Sequence, residues 1–199
     1  VGRSAQAGIL IRNGEALQVS CKLSCLILDK TGTITEGKPV VSSVEAIGGF
    51  NEEQVLQYAA SLESGSEHPL AASILTAAEK KHINLLKVSQ FEAIAGHGVV
   101  AAIDKKMIVF GNKALMAKQA VNYSKYNNAI EKLSALGQTP MLLAVDNKIS
   151  GIIAVSDPVK KDSVAAIRGL KNLGLRIIMV TGDNEITANT IAKLVGIDE

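Results

Sequence analysis

The sequence DKTGTIT at residues 29–35 follows the short apolar run Leu23–Leu28. A strand buried on both faces of a parallel sheet reads as a continuous apolar run, and this run ends at the carboxylate of Asp29. A carboxylate at a strand end, followed by a small turn that contains glycine, can attack a phosphoryl group while backbone N–H groups hold the phosphate oxygens. We therefore predict that Asp29 is a nucleophile at the carboxyl edge of a sheet.

Thr31 stands two residues after Asp29, where hydrolytic proteins of this architecture carry a second aspartate that activates water. A threonine hydroxyl cannot act as a general base near neutral pH. An aspartyl phosphate formed at Asp29 would therefore persist, as a protein that couples phosphorylation to motion requires. An aspartate with no chemical role at an ordinary strand end would explain Asp29 alone, but not the whole string.

A second apolar run, Leu175–Val180, ends in the sequence TGDN at residues 181–184. Between the two runs, Asp157-Pro158 predicts the start of an amphipathic helix that a later glycine ends. Another helix is predicted over Glu185–Val195. This order of strand, helix, strand and helix predicts a doubly wound α/β sheet, whose ligands bind beyond the carboxyl ends of its strands. The loops that start at residues 30 and 181 would therefore meet.

The middle of the chain has the pattern of an antiparallel sheet with helices. Its apolar runs alternate with turns, of which Asp104-Lys105 and Asp146-Asn147 favour tight hairpins. We interpret this part as an insertion whose two connections cross at Pro39 and Gly151. Its predicted elements are the strands Val40–Ile47, Val88–Ile94, Val99–Ile103, Lys106–Phe110, Met141–Val145 and Ile149–Val155, and the helices Glu52–Leu62, His68–Lys81 and Tyr126–Leu136.

Composition limits the functions that the 199 residues can have. Apolar residues make up 47% of the chain, which is enough for a packed core. The net charge is +2 and aromatic residues make up 3%, so we expect no nucleic-acid partner. No apolar run approaches the roughly 20 residues that cross a bilayer, and no signal-peptide pattern is visible, which gives the sequence a cytosolic character. Cys21 and Cys25 are predicted to be reduced thiols.

The motifs resemble those of the P-type ATPases, and the resemblance covers the whole chain. DKTGTIT is similar to the family's phosphorylation signature, and TGDN is similar to its later phosphate-site loop. Three further motifs resemble the heavy-metal-transporting subclass: SEHPLA at 66–71, GHGV at 96–99 and GN at 111–112. The segment GILIRNGEAL at 8–17 is similar to the part that leaves the membrane in these pumps, and it most resembles copper-exporting members.

This resemblance implies the division of the chain into domains. Residues 1–39 and 153–199 would form a haloacid-dehalogenase-like, doubly wound phosphorylation domain. Residues 40–152 would form an inserted α+β nucleotide-binding domain built on the antiparallel sheet. The family continues beyond the matching segment into further strands, a lysine and a loop rich in carboxylates, so we expect the phosphorylation domain to be truncated at its C-terminus.

The resemblance also implies the residues of the phosphorylation site. Asp29 would take the phosphoryl group of ATP, and Asp183 would lie near the phosphate end of ATP. Asp29 and the Thr31 carbonyl would bind Mg²⁺, a hard cation that neutralises phosphate charge, with its remaining ligands beyond the C-terminus. The residues expected to contact the phosphoryl group are Lys30, Thr31, Thr181 and Gly182.

Five residues of the insertion match positions that hold adenine and ribose in this family: Glu63, His68, Gly96, Gly98 and Asn112. His68 can offer a flat face and a ring nitrogen, and Glu63 can accept a hydrogen bond from the exocyclic amine. Gly96 and Gly98 would let the backbone approach the ligand where a Cβ would clash. Taken singly, His68 could be a capping or core residue and the two glycines could form a hairpin bulge. The order and spacing of the motifs favour a nucleotide site.

The function implied is ATP hydrolysis coupled to metal-ion export, with the greatest similarity to pumps for monovalent copper. The chain would be a cytoplasmic domain of an integral membrane protein. Its partners would be ATP, the other domains of the same pump, and a transported ion bound only by membrane helices outside this chain. The chain alone is expected to bind ATP but to turn it over extremely poorly.

Two alternatives remain open from the sequence. A soluble phosphatase with a nucleophilic aspartate would sustain turnover of p-nitrophenyl phosphate. A non-catalytic nucleotide-sensing module would bind ATP without forming an aspartyl phosphate.

Overall fold

Two β-sheets organise the chain. The computed structural model describes residues 2–11, 13–66 and 69–198. Strands β1 (Cys25–Asp29) and β8 (Arg176–Val180) pair in parallel to form the smaller sheet. The larger sheet is antiparallel and has the strand order 2-7-6-5-4-3; its strands are β2 (Val40–Ala46), β3 (Ser89–Ile94), β4 (Gly98–Ile103), β5 (Lys106–Gly111), β6 (Thr139–Val145) and β7 (Lys148–Ser156).

Helices cover both faces of the larger sheet and pack beside the smaller one. The described helices are α1 (Gly2–Gln6), α2 (Gly14–Ser20), α3 (Glu52–Glu63), α4 (Pro69–Lys80), α5 (Lys113–Lys118), α6 (Asn127–Ala135), α7 (Ser163–Asn172) and α8 (Glu185–Val195). Helices α3 and α4 share a core with Phe110, whereas α5 and α6 share one with the neighbouring Val109. Since adjacent strand residues point to opposite faces, these helix pairs lie on opposite sides. No helix within the described ranges is long and apolar enough to span a membrane.

The parallel pairing of β1 with β8 fixes the edge at which the candidate site lies. Asp29 stands opposite Val180, so the loops that follow the two strands leave the sheet at the same edge. A small core holds the pair in place, in which Ile177 of β8 packs with Ile167 of α7 and Ile191 of α8. The prediction that the loops starting at residues 30 and 181 would meet is confirmed.

Most elements form within two residues of their predicted bounds, because their local patterns are unambiguous. The two predicted hairpin turns, Asp104-Lys105 and Asp146-Asn147, have positive φ at both residues, as a tight turn between twisted strands requires. Helix α5 was not predicted. It begins after Asn112, whose side chain accepts a hydrogen bond from the Leu115 N–H (3.0 Å).

The helix start predicted at Asp157-Pro158 is wrong, because α7 begins at Ser163. The Asp157 carboxylate is used elsewhere. One of its oxygens accepts a hydrogen bond from the Thr35 hydroxyl (2.5 Å), and the other accepts one from the Lys38 N–H (3.1 Å). A contact made with residues more than a hundred positions away therefore overrides the local helix signal.

Gly151 does not mark a connection between the sheets, contrary to the prediction. It lies inside β7, paired with Ala46 of β2 and Leu143 of β6. A Cβ at this position would lie 2.4 Å from Cγ1 and 2.7 Å from Cγ2 of Val55 on α3. The glycine therefore allows α3 to approach the sheet, and β7 continues to Ser156 before the chain leaves the larger sheet.

Replacing this glycine tests the close approach of α3 to β7. Gly151→Ala should lower the free energy of unfolding by about 1–3 kcal/mol, because fully buried Val55 cannot turn both methyl groups away from the new Cβ. The measurement is the urea unfolding midpoint.

Gly169→Ala is the matched control, since a Cβ at Gly169 on α7 meets nothing within 4 Å. This variant should be neutral or more stable by up to about 1 kcal/mol, because alanine favours helix. Equal midpoints for Gly151→Ala and the unchanged chain would contradict the packing described here.

Candidate active site

The backbone after β1 makes a tight turn over Lys30–Ile34. Thr31 has φ −74° and ψ 123°, and Gly32 has φ 75° and ψ −10°, which are the angles of a type II turn. Such a turn requires a positive φ at its second central residue, and glycine adopts it without a Cβ penalty. The Thr35 N–H closes the loop by donating to the Lys30 carbonyl (3.0 Å). The sequence DKTGT therefore forms a compact loop directly after the strand.

A buried threonine and an aspartate hold this turn. Thr35 is fully buried, and its hydroxyl donates to Asp157 (2.5 Å) and accepts a hydrogen bond from the Gly32 N–H (3.2 Å). Sequence reasoning gave neither side chain a role in the site. The only signal for Asp157 was the Asp-Pro pair, which was interpreted as a helix start.

Lys30 and Asp183 join the two loops. Their side chains form an ion pair in which both are about nine-tenths buried, at 10% and 12% exposure. Charges so far removed from water are stable only when they are paired and hydrogen-bonded. The second carboxylate oxygen of Asp183 accepts a hydrogen bond from the Thr139 hydroxyl at the start of β6 (3.0 Å). Thr139 was not predicted, because nothing in its local sequence indicates a partner 44 positions away.

The other predicted residues at this edge face solvent to different extents. Asp29, Thr31 and Gly182 are exposed, whereas Thr181 is half-buried and its hydroxyl accepts a hydrogen bond from the Asp183 N–H (3.1 Å). Asp29 is therefore accessible to a ligand from solution. Of the six predicted residues, the structure brings Lys30 and Asp183 into direct contact.

The donor set at this edge suits a hard cation. The exposed Asp29 carboxylate and the Thr31 carbonyl offer oxygen atoms, which are the donors that Mg²⁺ prefers. Within the described residues, no group of three or more His, Cys, Asp or Glu side chains could hold a metal ion. In the chemistry of their oxygen donors, the Asp29 carboxylate and the Thr31 carbonyl are compatible with part of a Mg²⁺ site, to which phosphate oxygens would also contribute.

Glu63 is a buried carboxyl group at the end of α3. It is 3% exposed, and burial raises its pKa, an effect that a hydrogen bond with Ser66 partly offsets. Its Oε2 atom is buried without a hydrogen-bond partner in the described part of the chain. A buried acceptor without a donor is unfavourable in a protein interior, so this oxygen is suited to a ligand that donates a hydrogen bond.

Asn112 and Gly96, two further residues of the predicted nucleotide site, are hydrogen-bonded to each other. The Asn112 amide donates to the Gly96 carbonyl (2.9 Å), and the Asn112 N–H donates to the His97 carbonyl (2.9 Å). Gly96 has a φ of +72° and open space around the position of a Cβ. The structure therefore joins the GHGV and GN sequences into one corner.

Glycine is required at position 98 for a structural reason that was not predicted from the sequence. A Cβ at Gly98 would lie 2.2 Å from the Phe110 carbonyl oxygen, and a Cβ at Gly111 would lie 2.3 Å from the His97 carbonyl oxygen. Both glycines allow β4 and β5 to approach at this corner, so approach to a ligand is not needed to explain Gly98. His68, the fifth predicted residue of the nucleotide site, lies outside the described residues.

Comparison with known proteins identifies the family. The model of the haloacid dehalogenase-like hydrolases matches residues 23–199. A copper-transporting P-type ATPase of Rhizobium leguminosarum bv. viciae is 44% identical over 198 residues, which are 100% of this chain and 24% of that protein. A copper-exporting P-type ATPase of Bacillus subtilis (strain 168) is 42% identical over 98% of this chain and 24% of its own length. The chain thus spans about a quarter of the length of these curated relatives.

Solved structures agree with the sequence matches. A zinc-transporting PIB-type ATPase in the E2.Pi state has a TM-score of 0.70 and 30% identity, over 98% of this chain and 31% of that one. The catalytic domain of a CPx-ATPase has a TM-score of 0.68 and 25% identity, over 100% of this chain and 68% of that one. The chain belongs to the haloacid dehalogenase-like hydrolases, and over its whole length it is similar to one segment of the heavy-metal P-type ATPases.

Proposed function

We propose that this chain is the ATP-binding and phosphorylated catalytic portion of a metal-exporting P-type ATPase, in which Asp29 takes the phosphoryl group. The register of β1 with β8 is the observation that supports this proposal most, because it sets the exposed Asp29 carboxylate at the edge where the loops after both strands leave the sheet. The whole protein would be membrane-bound, with this chain on the cytoplasmic side and in contact with its other domains.

The reaction is the transfer of the γ-phosphoryl group of ATP to the Asp29 carboxylate. One carboxylate oxygen forms a bond to phosphorus while the bond from phosphorus to the β,γ-bridging oxygen breaks, and ADP leaves with that electron pair. Backbone N–H groups of the Lys30–Ile34 turn and the Lys30 ammonium would bind the phosphoryl oxygens. Bound Mg²⁺, held by Asp29 and the Thr31 carbonyl, would supply positive charge against the phosphates.

The aspartyl phosphate should be long-lived because Thr31 is in the position where hydrolytic relatives place a water-activating aspartate. A slow hydrolysis step would leave time for a conformational change of the protein. This residue favours a pump over a soluble phosphatase.

ATP would bind through the larger sheet. Glu63 would accept a hydrogen bond from the adenine amino group through its buried Oε2, which has no hydrogen-bond partner among the residues that the structure describes. The corner of Gly96 and Asn112 would contact the ribose side, and His68 would stack on the purine. A solved N-domain of a copper-transporting P-type ATPase supports a separate nucleotide-binding unit, since it matches 59% of this chain and 99% of its own length with a TM-score of 0.51 and 27% identity.

The proposed domain division follows the sheets. The nucleotide-binding unit would comprise residues 40–152 and the rest of β7 up to Ser156. The phosphorylation domain would comprise residues 1–39 and the segment after Ser156. Monovalent copper is the proposed transported ion, because relatives named as copper pumps match the chain at 44% and 42% identity. A silver-exporting P-type ATPase of Salmonella typhimurium, 38% identical over 100% of this chain and 24% of its own length, is consistent with a soft monovalent ion.

The nucleophile can be tested in a chimera that carries this chain in place of the matching segment of the Bacillus subtilis relative. Asp29→Asn should reduce acid-stable labelling from [γ-³²P]ATP to background, because the amide keeps the size of the side chain but loses the nucleophilic charge. Asp198→Asn is the control, since Asp198 pairs with Lys171 on the exposed surface and lies near the opposite end of the sequence from Asp29. Labelling that persists in Asp29→Asn would refute the assignment. Labelling of the unchanged chimera that resists hydroxylamine would refute it as well.

The adenine contact can be tested at Glu63. Glu63→Gln should weaken ATP binding to the chain by about five- to thirtyfold, because the charged acceptor becomes neutral. Isothermal titration gives the affinity, with Glu53→Gln at an exposed position of the same helix as the control. Unchanged affinity in Glu63→Gln would exclude this residue from the nucleotide site.

Glu63→Gln, which should weaken ATP binding, should make the folded chain more stable at neutral pH. Since burial raises the pKa of Glu63, the folded state disfavours the carboxylate, and stability is lost as pH rises through the raised value. Glu63→Gln should therefore be more stable than the unchanged chain at neutral pH, and its advantage should shrink as pH falls towards the ordinary glutamate pKa of about 4.3. A stability difference that does not vary with pH would contradict the burial of an ionised Glu63.

A further inference from the structure

The two sheets are joined by a small polar contact that the sequence motifs do not account for. We call it the Thr139 clasp; it consists of Gln138 and Thr139 at the start of β6 and of Asp183 and Thr187 at the start of α8. Each of its two hydrogen bonds connects the larger sheet to the segment after β8.

The first bond depends on the ion pair of the candidate active site. The Thr139 hydroxyl donates to Asp183 Oδ1 (3.0 Å), while Asp183 Oδ2 is paired with Lys30. The carboxylate is nearly buried, so its charge is stable there only with both donors in place. Thr139 therefore bonds to a group whose position depends on Lys30.

The second bond is held in one orientation. The Thr187 hydroxyl is fully buried, donates to the Gln138 carbonyl (2.8 Å) and accepts from the Asn184 side-chain amide (2.9 Å). Because the hydroxyl is used both as donor and as acceptor, its hydrogen points at Gln138. This bond ties the first turn of α8 to the larger sheet.

Close packing surrounds the clasp. Gly137 has a φ of +73°, and a Cβ there would lie 2.9 Å from Cδ1 of Ile191, which is itself buried on α8. Helix α6 also packs against α8. The clasp is therefore the polar part of a continuous contact between the two sheets.

We propose that Thr139 is a positioning residue, which acts through Asp183 to hold the larger sheet against the site while Lys30 is paired with Asp183. Once the phosphoryl group is on Asp29 and Lys30 is bound to it, Asp183 has no charge partner, its burial is unfavourable, and the clasp opens. This coupling rests on the proposed function, whereas the clasp itself does not. It would link the occupancy of the phosphorylation site to the relative placement of the sheets.

The test measures the distance between the sheets by pulsed electron paramagnetic resonance in the ligand-free chain. Spin labels are placed at exposed Glu92 on β3 and exposed Lys193 on α8, with Cys21 and Cys25 changed to serine. The unchanged clasp should give one narrow distance distribution. Thr139→Val and Thr187→Val should each raise the ratio of open to closed molecules about 3- to 10-fold, the effect of one lost hydrogen bond.

Two controls separate a positioning role from general loss of stability. Thr139→Ser keeps the hydroxyl and should restore the narrow distribution. Thr190→Val should leave the distribution unchanged, because the Thr190 hydroxyl donates to the Ile186 carbonyl within α8 (2.8 Å). A distribution for Thr139→Val that superimposes on that of the unchanged chain, or a failure of Thr139→Ser to restore it, would overturn the positioning role.

Lys30→Met tests the coupling without any ligand. Removing the charge partner of Asp183 should open the clasp at least as far as Thr139→Val does. A closed distribution in Lys30→Met would overturn the coupling. Neither result depends on phosphorylation, so failure of the clasp is distinguishable from failure of Asp29 as nucleophile, which radiolabelling measures separately.

Discussion

The parallel pairing of β1 with β8 is the constraint on which the site depends. It places Asp29 opposite Val180, and the two loops that follow are then close enough for Lys30 to reach Asp183. In the sequence, Lys30 and Asp183 lie 153 positions apart, and most of the residues between them belong to the larger sheet and the helices that pack on it. The core beneath the pair is small, so the loops themselves contribute buried polar contacts that fix the edge.

The polar contacts at this edge have two different structural roles. The bond between Thr35 and Asp157 shapes the turn after Asp29, whereas the ion pair of Lys30 and Asp183 orients the charged groups beside it. Thr35 is fully buried and the side chains of Lys30 and Asp183 are nearly so, and each of the three is bound to a partner. Asp29, by contrast, is exposed and accessible to a ligand. A carboxylate that is accessible to a ligand beside fixed polar groups is the arrangement that the proposed phosphoryl transfer to Asp29 needs.

Apart from the meeting of the loops after β1 and β8, the sequence predicted features that are set locally and missed those set by distant partners. Alternating apolar runs and turn residues located the strands, and Asn184 with Gly196 bounded α8 where it was expected. Asp157 and Gly151 were misinterpreted because the partners that explain them, Thr35 and Val55, lie about a hundred positions away. Thr139 carries no local signal at all, since only the packing of α6 on α8 brings it to Asp183. The roles of the site residues came from family resemblance and remain predictions.

The most direct test of the central claim is the chemical location of the phosphoryl group. After reaction of the chimera with Mg²⁺ and ATP, borohydride reduces an aspartyl phosphate to homoserine, which mass spectrometry can locate in a peptide. The account predicts homoserine at position 29 and unmodified aspartate at Asp157 and Asp183. Homoserine at either of those residues, or a phosphoryl group on a hydroxyl side chain, would contradict it.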